Sequence, residues 1–208
     1  MHALIPLADL SDAQLDRLAD LHVETMRTLR SDLGVPFVHR YYEVARRDTT
    51  CIGLCAVDGG ELRGYAAGTS EPSRLFAGLR SPAHWFAWQL IRLAAIRPAV
   101  VTQLATSVML SSRHAVPPGA IELTYIGVAP VARGAGLGGR LLAEFRRAAQ
   151  DAGHTTVVLS VEADNAPAIA LYEKAGFRIV DTFREGRFAR HRMECPLEAR
   201  SPPQGSTS

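Results

Sequence analysis

The residues best suited to chemistry lie between positions 120 and 177. Gly134, Ala135, Gly136, Leu137, Gly138 and Gly139 form a glycine-rich run just where an amphipathic pattern begins. Glycines bare the backbone there, and free N–H groups at a helix start share its positive end. This combination suits a phosphate-bearing ligand. Upstream, the apolar run Ile121 to Val128 carries one carboxylate, Glu122. A charge in such a strand needs a reason: a base acting through water, or a salt bridge to an arginine. Gly127 in the same run hints at a bulge or a close backbone approach. Downstream, Asn165 and Tyr172 lie two helical turns apart and project from a similar face. Their plainest roles are a helix N-cap and a core aromatic with a satisfied hydroxyl.

Two familiar phosphate loops fail on this run. Gly134, Gly136 and Gly139 spell the dinucleotide fingerprint, with a strand on either side and Glu162 beyond. In that motif the first glycine sits almost against the strand end. Here Ala129 to Arg133 intervene, Pro130 stops the strand, and Glu162 lies beyond the usual ~20 residues. A Walker loop needs Lys-Ser or Lys-Thr after the glycines, and neither is present.

The surrounding pattern alternates helices and strands. Ser11 and Gln14 read as a capping box before a helix with Leu15, Leu18, His22 and Met26 on its apolar stripe. A second helix is expected from Pro36 to Arg46. Strands are expected at Thr50–Val57 and Leu62–Thr69, turned at Gly59-Gly60. Residues 73–113 form an apolar helical insertion, with runs Trp85–Ile96 and Ala99–Leu110 broken at Arg97-Pro98. It is interrupted too often to span a membrane. It is expected to pack on the sheet or make a homodimer contact, and its place before the Glu122 strand lets it wall a pocket. Then follow a helix at 137–152, a strand Thr155–Val161, a helix at 166–175 and strands at 177–183 and 187–197. Leu137, Leu141, Phe145 and Ala149 should bury against the sheet. Simple alternation puts Glu122, Thr124 and Ile126 on one strand face. The fold class is α/β of the α+β type: a sheet flanked by helices. Residues 1–198 form one domain and 199–208 a disordered polar tail.

Composition narrows the function. The chain has 208 residues, 47% hydrophobic and 21% charged, the balance of an ordinary globular protein. A net charge of +2 with scattered arginines gives no basic stripe, so no nucleic-acid partner is expected. Cys51, Cys55 and Cys195 make no disulfide framework, and no Cys/His spacing suggests a metal. Without a signal-like N-terminus the expected location is the cytoplasm.

Arg133-x-x-Gly136-x-Gly138 after Val128-x-Pro130 resembles the acetyl-CoA pyrophosphate loop of the GNAT superfamily of N-acetyltransferases. Asn165-Ala-Pro-Ala168-Ile-Ala-Leu171-Tyr172, followed by Gly176-Phe177, resembles that superfamily's second signature. The close likeness covers roughly residues 120–180, and it implies a central twisted mixed sheet of six to seven strands flanked by helices. It implies that acetyl-CoA is the acyl donor. It implies that the backbone from Arg133 to Gly139 cradles the pyrophosphate, with the backbone of Arg133 mattering more than its charge. The strand Ile126-Gly127-Val128 would pair with the pantetheine arm, the Val128 N–H contacting the thioester oxygen. Asn165 and Ala168 would border the cofactor arm, and Tyr172 would protonate the leaving sulfur. Several members carry a catalytic glutamate at the position of Glu122. Others carry one where this chain has Ser160, which leaves Glu162 as the reserve base.

The resemblance leaves the acceptor open. A primary amine of a small molecule, with an amino sugar as one candidate, is the main expectation. A peptide or protein N-terminus is the runner-up. The competing classes are a non-catalytic acyl-CoA sensor and a membrane-surface enzyme acting on lipid-linked sugars; no membrane contact is expected.

Overall fold

The computed structural model describes residues 2–26, 34–96, 115–185 and 188–198. Its elements are β1 (Ala3–Pro6), α1 (Asp12–Thr25), α2 (Val35–Ala45), β2 (Cys51–Asp58), β3 (Glu61–Thr69), α3 (Pro72–Leu79) and α4 (Ala83–Ile96). They continue with β4 (Ala120–Val128), α5 (Leu137–Asp151), β5 (Thr156–Glu162), α6 (Ala166–Lys174), β6 (Arg178–Glu185) and β7 (Phe188–Pro196). The seven strands form one mixed sheet in the order β1-β2-β3-β4-β5-β7-β6. β1 was not expected. It is four residues long, lies at the sheet edge and pairs with β2 in the register Ala3–Val57 to Pro6–Leu54. So short a run carries too little alternation to be read from sequence.

Local chemistry sets the helix ends. Ser11 Oγ accepts the N–H of Gln14 at 3.3 Å, and Gln14 Oε1 accepts the N–H of Ser11 at 3.0 Å, so the capping box forms. α5 begins after Gly136, whose φ of +78° is left-handed, and among the described residues no side chain caps it. Its first three N–H groups therefore lack intrahelical partners. The expected apolar line is buried: Leu137 is 3% exposed, and Leu141, Phe145 and Ala149 are 0% exposed. Each large side chain so buried contributes about 1.5–3 kcal/mol.

The sheet has a different core on each face. α5 and α6 cover one face, with Ile121, Leu123, Leu141, Phe145, Val157, Leu159, Tyr172 and Met193 in a single cluster. α1 and α2 cover the other face over β2–β4, with Leu15, Leu18, Tyr41, Tyr42, Cys55, Tyr65 and Tyr125. On this second face His22 is buried, its Nδ1 2.8 Å from the Tyr42 hydroxyl, with the rings of Tyr65 and Tyr125 beside it. α3 packs on α2, and Trp85 of α4 meets Phe37 edge-on at 5.5 Å. Trp88 and Ile91 of α4 are exposed. The expected second helix of the insertion, Ala99–Leu110, and the tail 199–208 lie outside the described residues. No helix among the described residues is long and apolar enough to cross a membrane.

The expected alternation along β4 is corrected by a bulge. Ala67 faces Tyr125 and Gly68 faces Leu123, so Thr124 is the extra residue on the β4 side. Leu123 accordingly packs under α5 while Tyr125 packs under α1 and α2. Glu122 therefore shares its face with Tyr125 and Gly127, and Ile126 lies on the face of Ile121 and Leu123. A bulge resets the two-residue period, and the sequence alone gave no sign of its position.

Candidate active site

β4 and β5 run parallel but pair only briefly. Their register covers Ala120–Thr156, Ile121–Val157 and Glu122–Val158, and then the two strands part. Beyond that rung, β4 stays paired with β3 as far as Val128, and β5 with β7 as far as Glu162. A wedge thus opens between two strands that are each held on the outer side.

Backbone donors point into this wedge. The Ala129 N–H bonds to the Arg63 carbonyl at 2.9 Å. Antiparallel pairs alternate between bonded and non-bonded, so the next bonded pair is Tyr65–Gly127. The N–H groups of Ile126 and Val128 then face away from β3, toward β5, where β4 has no partner strand among the described residues. Gly127 lies between them. A Cβ there would stand 2.6–2.8 Å from Tyr65 Cε1, Cζ and hydroxyl oxygen. The close approach that makes this residue glycine is thus a buried ring on the α1–α2 face.

The glycine loop closes the wide end of the wedge. After the short 3-10 turn Pro130–Ala132, Gly134 and Gly136 take φ values of +80° and +78°, which disfavour any residue with a Cβ. Gly138 and Gly139 do not. A Cβ on Gly138 would meet Leu171 at 3.6 Å and Val128 at 3.7 Å, ordinary contacts. Gly136 is therefore fixed by conformation, and Gly138 brings the turn against β4 and α6. The Arg133 side chain folds back so that Nε donates to the Val128 carbonyl at 3.2 Å. Ala135 and Gly136 are exposed, Leu137 is buried, and the uncapped end of α5 faces outward. That end can hold an anion.

α6 borders the same wedge. Asn165 caps it, Oδ1 accepting the Ala168 N–H at 3.2 Å. Tyr172 is 8% exposed, packs on Phe177 at 5.8 Å and shares a cluster with Ala132 and Leu137 of the loop. Burial pushes its hydroxyl up to about 12, so it is a donor at neutral pH. Both plain features, an N-cap and a packed aromatic, are thus present in residues that stand beside the wedge.

At the narrow end, Arg192 of β7 reaches across β5 to β4. Its Nη1 lies 2.5 Å from Glu122 Oε1 and 3.2 Å from Ser160 Oγ. Glu122 is therefore an ion-pair partner, and its pair sits at the last rung before the strands part. Glu162 lies further along β5, in register with Arg190. Sequence reasoning missed Arg192, which looked like one more surface arginine. Only the register Ser160–Arg192 brings it to Glu122. Among the described residues no group of three His, Cys, Asp or Glu is placed to hold a metal ion. An open depression of about 620 Å³ lies apart from all this, among Arg146, Arg147, Arg178 and Glu194.

Residues 15–177 match the family model described as the acetyltransferase (GNAT) family. The chain belongs to this family. Among curated relatives, the mycothiol acetyltransferase of Saccharomonospora viridis is 48% identical over 61 residues, 29% of this chain and 20% of that protein. The chain thus matches about a fifth of that relative's length. Among solved structures, the ribosomal-protein-S18-alanine N-acetyltransferase of Escherichia coli superposes with a TM-score of 0.61 at 17% identity, covering 100% of both chains. The yncA protein of Salmonella typhimurium, solved with its cofactor acetyl-CoA, gives 0.62 at 18% identity and 98% of both chains. At these identities the likeness is one of GNAT fold, and it accounts for the seven-stranded mixed sheet.

Proposed function

We propose that this GNAT protein transfers the acetyl group of acetyl-CoA directly to the primary amine of a small molecule, an amino sugar being one candidate. The observation that carries the reading is the wedge: backbone donors of β4 face a gap whose wide end is an uncapped, glycine-rich helix start. Its shape suits a long arm with a pyrophosphate at one end. Acetyl-CoA supplies an activated acyl carbon when bound. The N–H groups from Arg133 to Gly139 hold the pyrophosphate, and Ile126, Gly127 and Val128 align the arm, with Asn165 and Ala168 along the α6 side. The Val128 N–H is placed to polarise the acyl oxygen, which is worth ~3 kcal/mol for a well-aligned donor.

Glu122 takes the proton lost by the amine, through water, while Arg192 holds its carboxylate at the narrow end of the gap. Tyr172, kept protonated by burial, gives its proton to the departing sulfur. One proton is gained and one lost, and the products are an N-acetyl amine and a thiol. Glu162 is the reserve base. A protein N-terminus is the second acceptor class, supported by the fold shared with a ribosomal-protein-alanine acetyltransferase. The test is thiol release from acetyl-CoA with a panel of amines, joined to melting curves. Acetyl-CoA should raise the melting temperature more than NAD or ATP at equal concentration. A larger shift with NAD overturns the reading, and binding without thiol release from any amine leaves a sensor.

A further inference from the structure

Arg192 is an expensive residue to bury. It is 6% exposed, and among the described residues its charge is offset by Glu122. Nη1 is fully used by Glu122 Oε1 and Ser160 Oγ. Nη2 is also buried, yet among the described residues it has no hydrogen-bond partner. A buried donor of a charged group left without an acceptor costs more than a neutral one does. Such a group calls for an explanation, and a ligand that arrives to satisfy it is one.

The position of Nη2 points to what arrives. Both Nη atoms hang from one carbon of a rigid planar fork, so Nη2 lies within roughly 5 Å of Glu122 Oε1. The pair stands where β4 and β5 stop pairing, at the narrow end of the wedge. The carboxylate balances the guanidinium charge, so the site does not require a second full negative charge. It requires an oxygen with a lone pair, close to whatever nitrogen faces Glu122. An amine and an oxygen on the neighbouring carbon are about 3 Å apart by ordinary bond lengths, so both can face the pair together, the nitrogen toward the Glu122 carboxylate through its water and the oxygen on the fork.

We infer that Arg192 is the acceptor-selecting residue, donating through Nη2 to an oxygen on the carbon next to the amine-bearing carbon. This rests on the amine-acetylation reading above and deepens it. It favours amino alcohols, including amino sugars, and α-amino carbonyl compounds, and it disfavours simple alkylamines. A site built to hydrogen-bond an oxygen discriminates strongly against an analogue lacking it, because its own polar group is then left unpaired. Arg192 also ties β4 to β5 through Glu122, a structural duty that its second nitrogen does not serve.

The test is kcat/KM for glycine, glycinamide, ethanolamine and propylamine, at saturating acetyl-CoA, in wild type and in Arg192→Lys. Lysine keeps the cation beside Glu122 and loses the fork. Wild type should prefer the best oxygen-bearing amine over propylamine, and R192K should reduce that ratio ~10-fold or more, mainly through KM. Differences in amine reactivity cancel in the ratio of ratios. The acid, amide and alcohol arms tell which kind of oxygen is read. A stability loss in R192K with the ratio unchanged would make Arg192 a tie between strands and nothing more. Should R192K not fold, wild type alone decides: N-acetylglycinamide or N-acetylethanolamine should bind the CoA complex ~10-fold more tightly than N-propylacetamide, and equal affinities overturn the inference. If none of the four amines is acetylated while this binding preference holds, the transfer reading fails and the recognition stands.

Discussion

The two faces of the sheet at β4 are built in opposite ways. On the α5–α6 face, the parts that shape the wedge are close in sequence: the glycine turn leads straight into α5, and Asn165 caps the helix that carries Tyr172. On the other face the contacts are long-range. Glu122 meets Arg192 across 70 positions, Thr25 meets Tyr65 across 40, and His22 meets Tyr42 across 20. The first face is set by local backbone rules, which a short motif can encode. The second exists only once the register of the sheet is fixed. A donor-binding half can therefore stay recognisable while an acceptor half changes, because single substitutions on the second face re-aim contacts without touching the loop.

The largest effect should come from breaking the local half. Gly136 has a φ of +78°, and among the described residues nothing lies within 4 Å of where a Cβ would stand. Gly136→Leu therefore meets strain and not a clash, about 1–2 kcal/mol for a left-handed residue. It also places a side chain over the helix start. The rise in melting temperature with CoA should disappear while the far-ultraviolet spectrum is kept. A normal CoA shift in this variant would show that the loop is not where the pyrophosphate sits.

Tyr172→Phe comes next and keeps to the same half. It preserves the ring against Phe177 and removes only the hydroxyl. Single-turnover rates should fall ~10²-fold, the lower range for a positioned acid, with CoA affinity near wild type. Rate retained with ~1 kcal/mol of stability lost would leave Tyr172 as packing alone. The raised hydroxyl carries a second consequence. A phenol protonated in the folded state up to about 12, against 10 unfolded, adds stability that is complete below pH 10 and lost as pH rises toward 12. The phenylalanine variant should show a shallower loss of stability over that range.

These two variants also mark what the sequence made legible. Six of the seven strands, the capping box, the burial of α5 and the glycine turn all followed from periodicity and helix-end chemistry. The faces of β4 did not, because the bulge at Thr124 moves Glu122 away from Ile126 without any residue that announces it. Arg192 was hidden for a similar reason: in a chain rich in arginine, only pairing with β5 separates it from the rest. β1 was too short to show a period.

Glu122→Gln probes the long-range half. The amide keeps the shape and still accepts from Arg192, but it removes the charge and the basic oxygen. Turnover should fall ~10-fold or more, and the rise of rate with pH should flatten, with the CoA-induced stabilisation unchanged. If instead the protein unfolds at lower urea with kcat intact, Glu122 serves the ion pair only. Loss of both together would fit a buried pair broken on one side, about 3–5 kcal/mol, and the pH profile of the surviving fraction then decides.

The smallest effect concerns the place where the two halves touch. Gly127 carries the backbone that faces the wedge, and the Tyr65 ring lies against it from the other side. A methyl there would stand 2.6 Å from Cε1 and 2.7 Å from Cζ. The ring cannot yield easily, since Tyr65 is 1% exposed and its hydroxyl lies 3.2 Å from Thr25 Oγ1. Gly127→Ala should thus cost about 1–3 kcal/mol by overpacking, seen as a lower urea midpoint with an unchanged slope. Trimming the hydroxyl with Tyr65→Phe leaves both close carbons in place and should not relieve it. Tyr65→Leu removes the ring and should, so the cost of Gly127→Ala should shrink by ~1 kcal/mol or more in that background. Equal costs in the tyrosine and leucine backgrounds would mean that the ring is not the obstacle. Gly127 would then be glycine for the sake of the wedge alone, and the two faces of β4 would be independent at the one residue where the structure joins them.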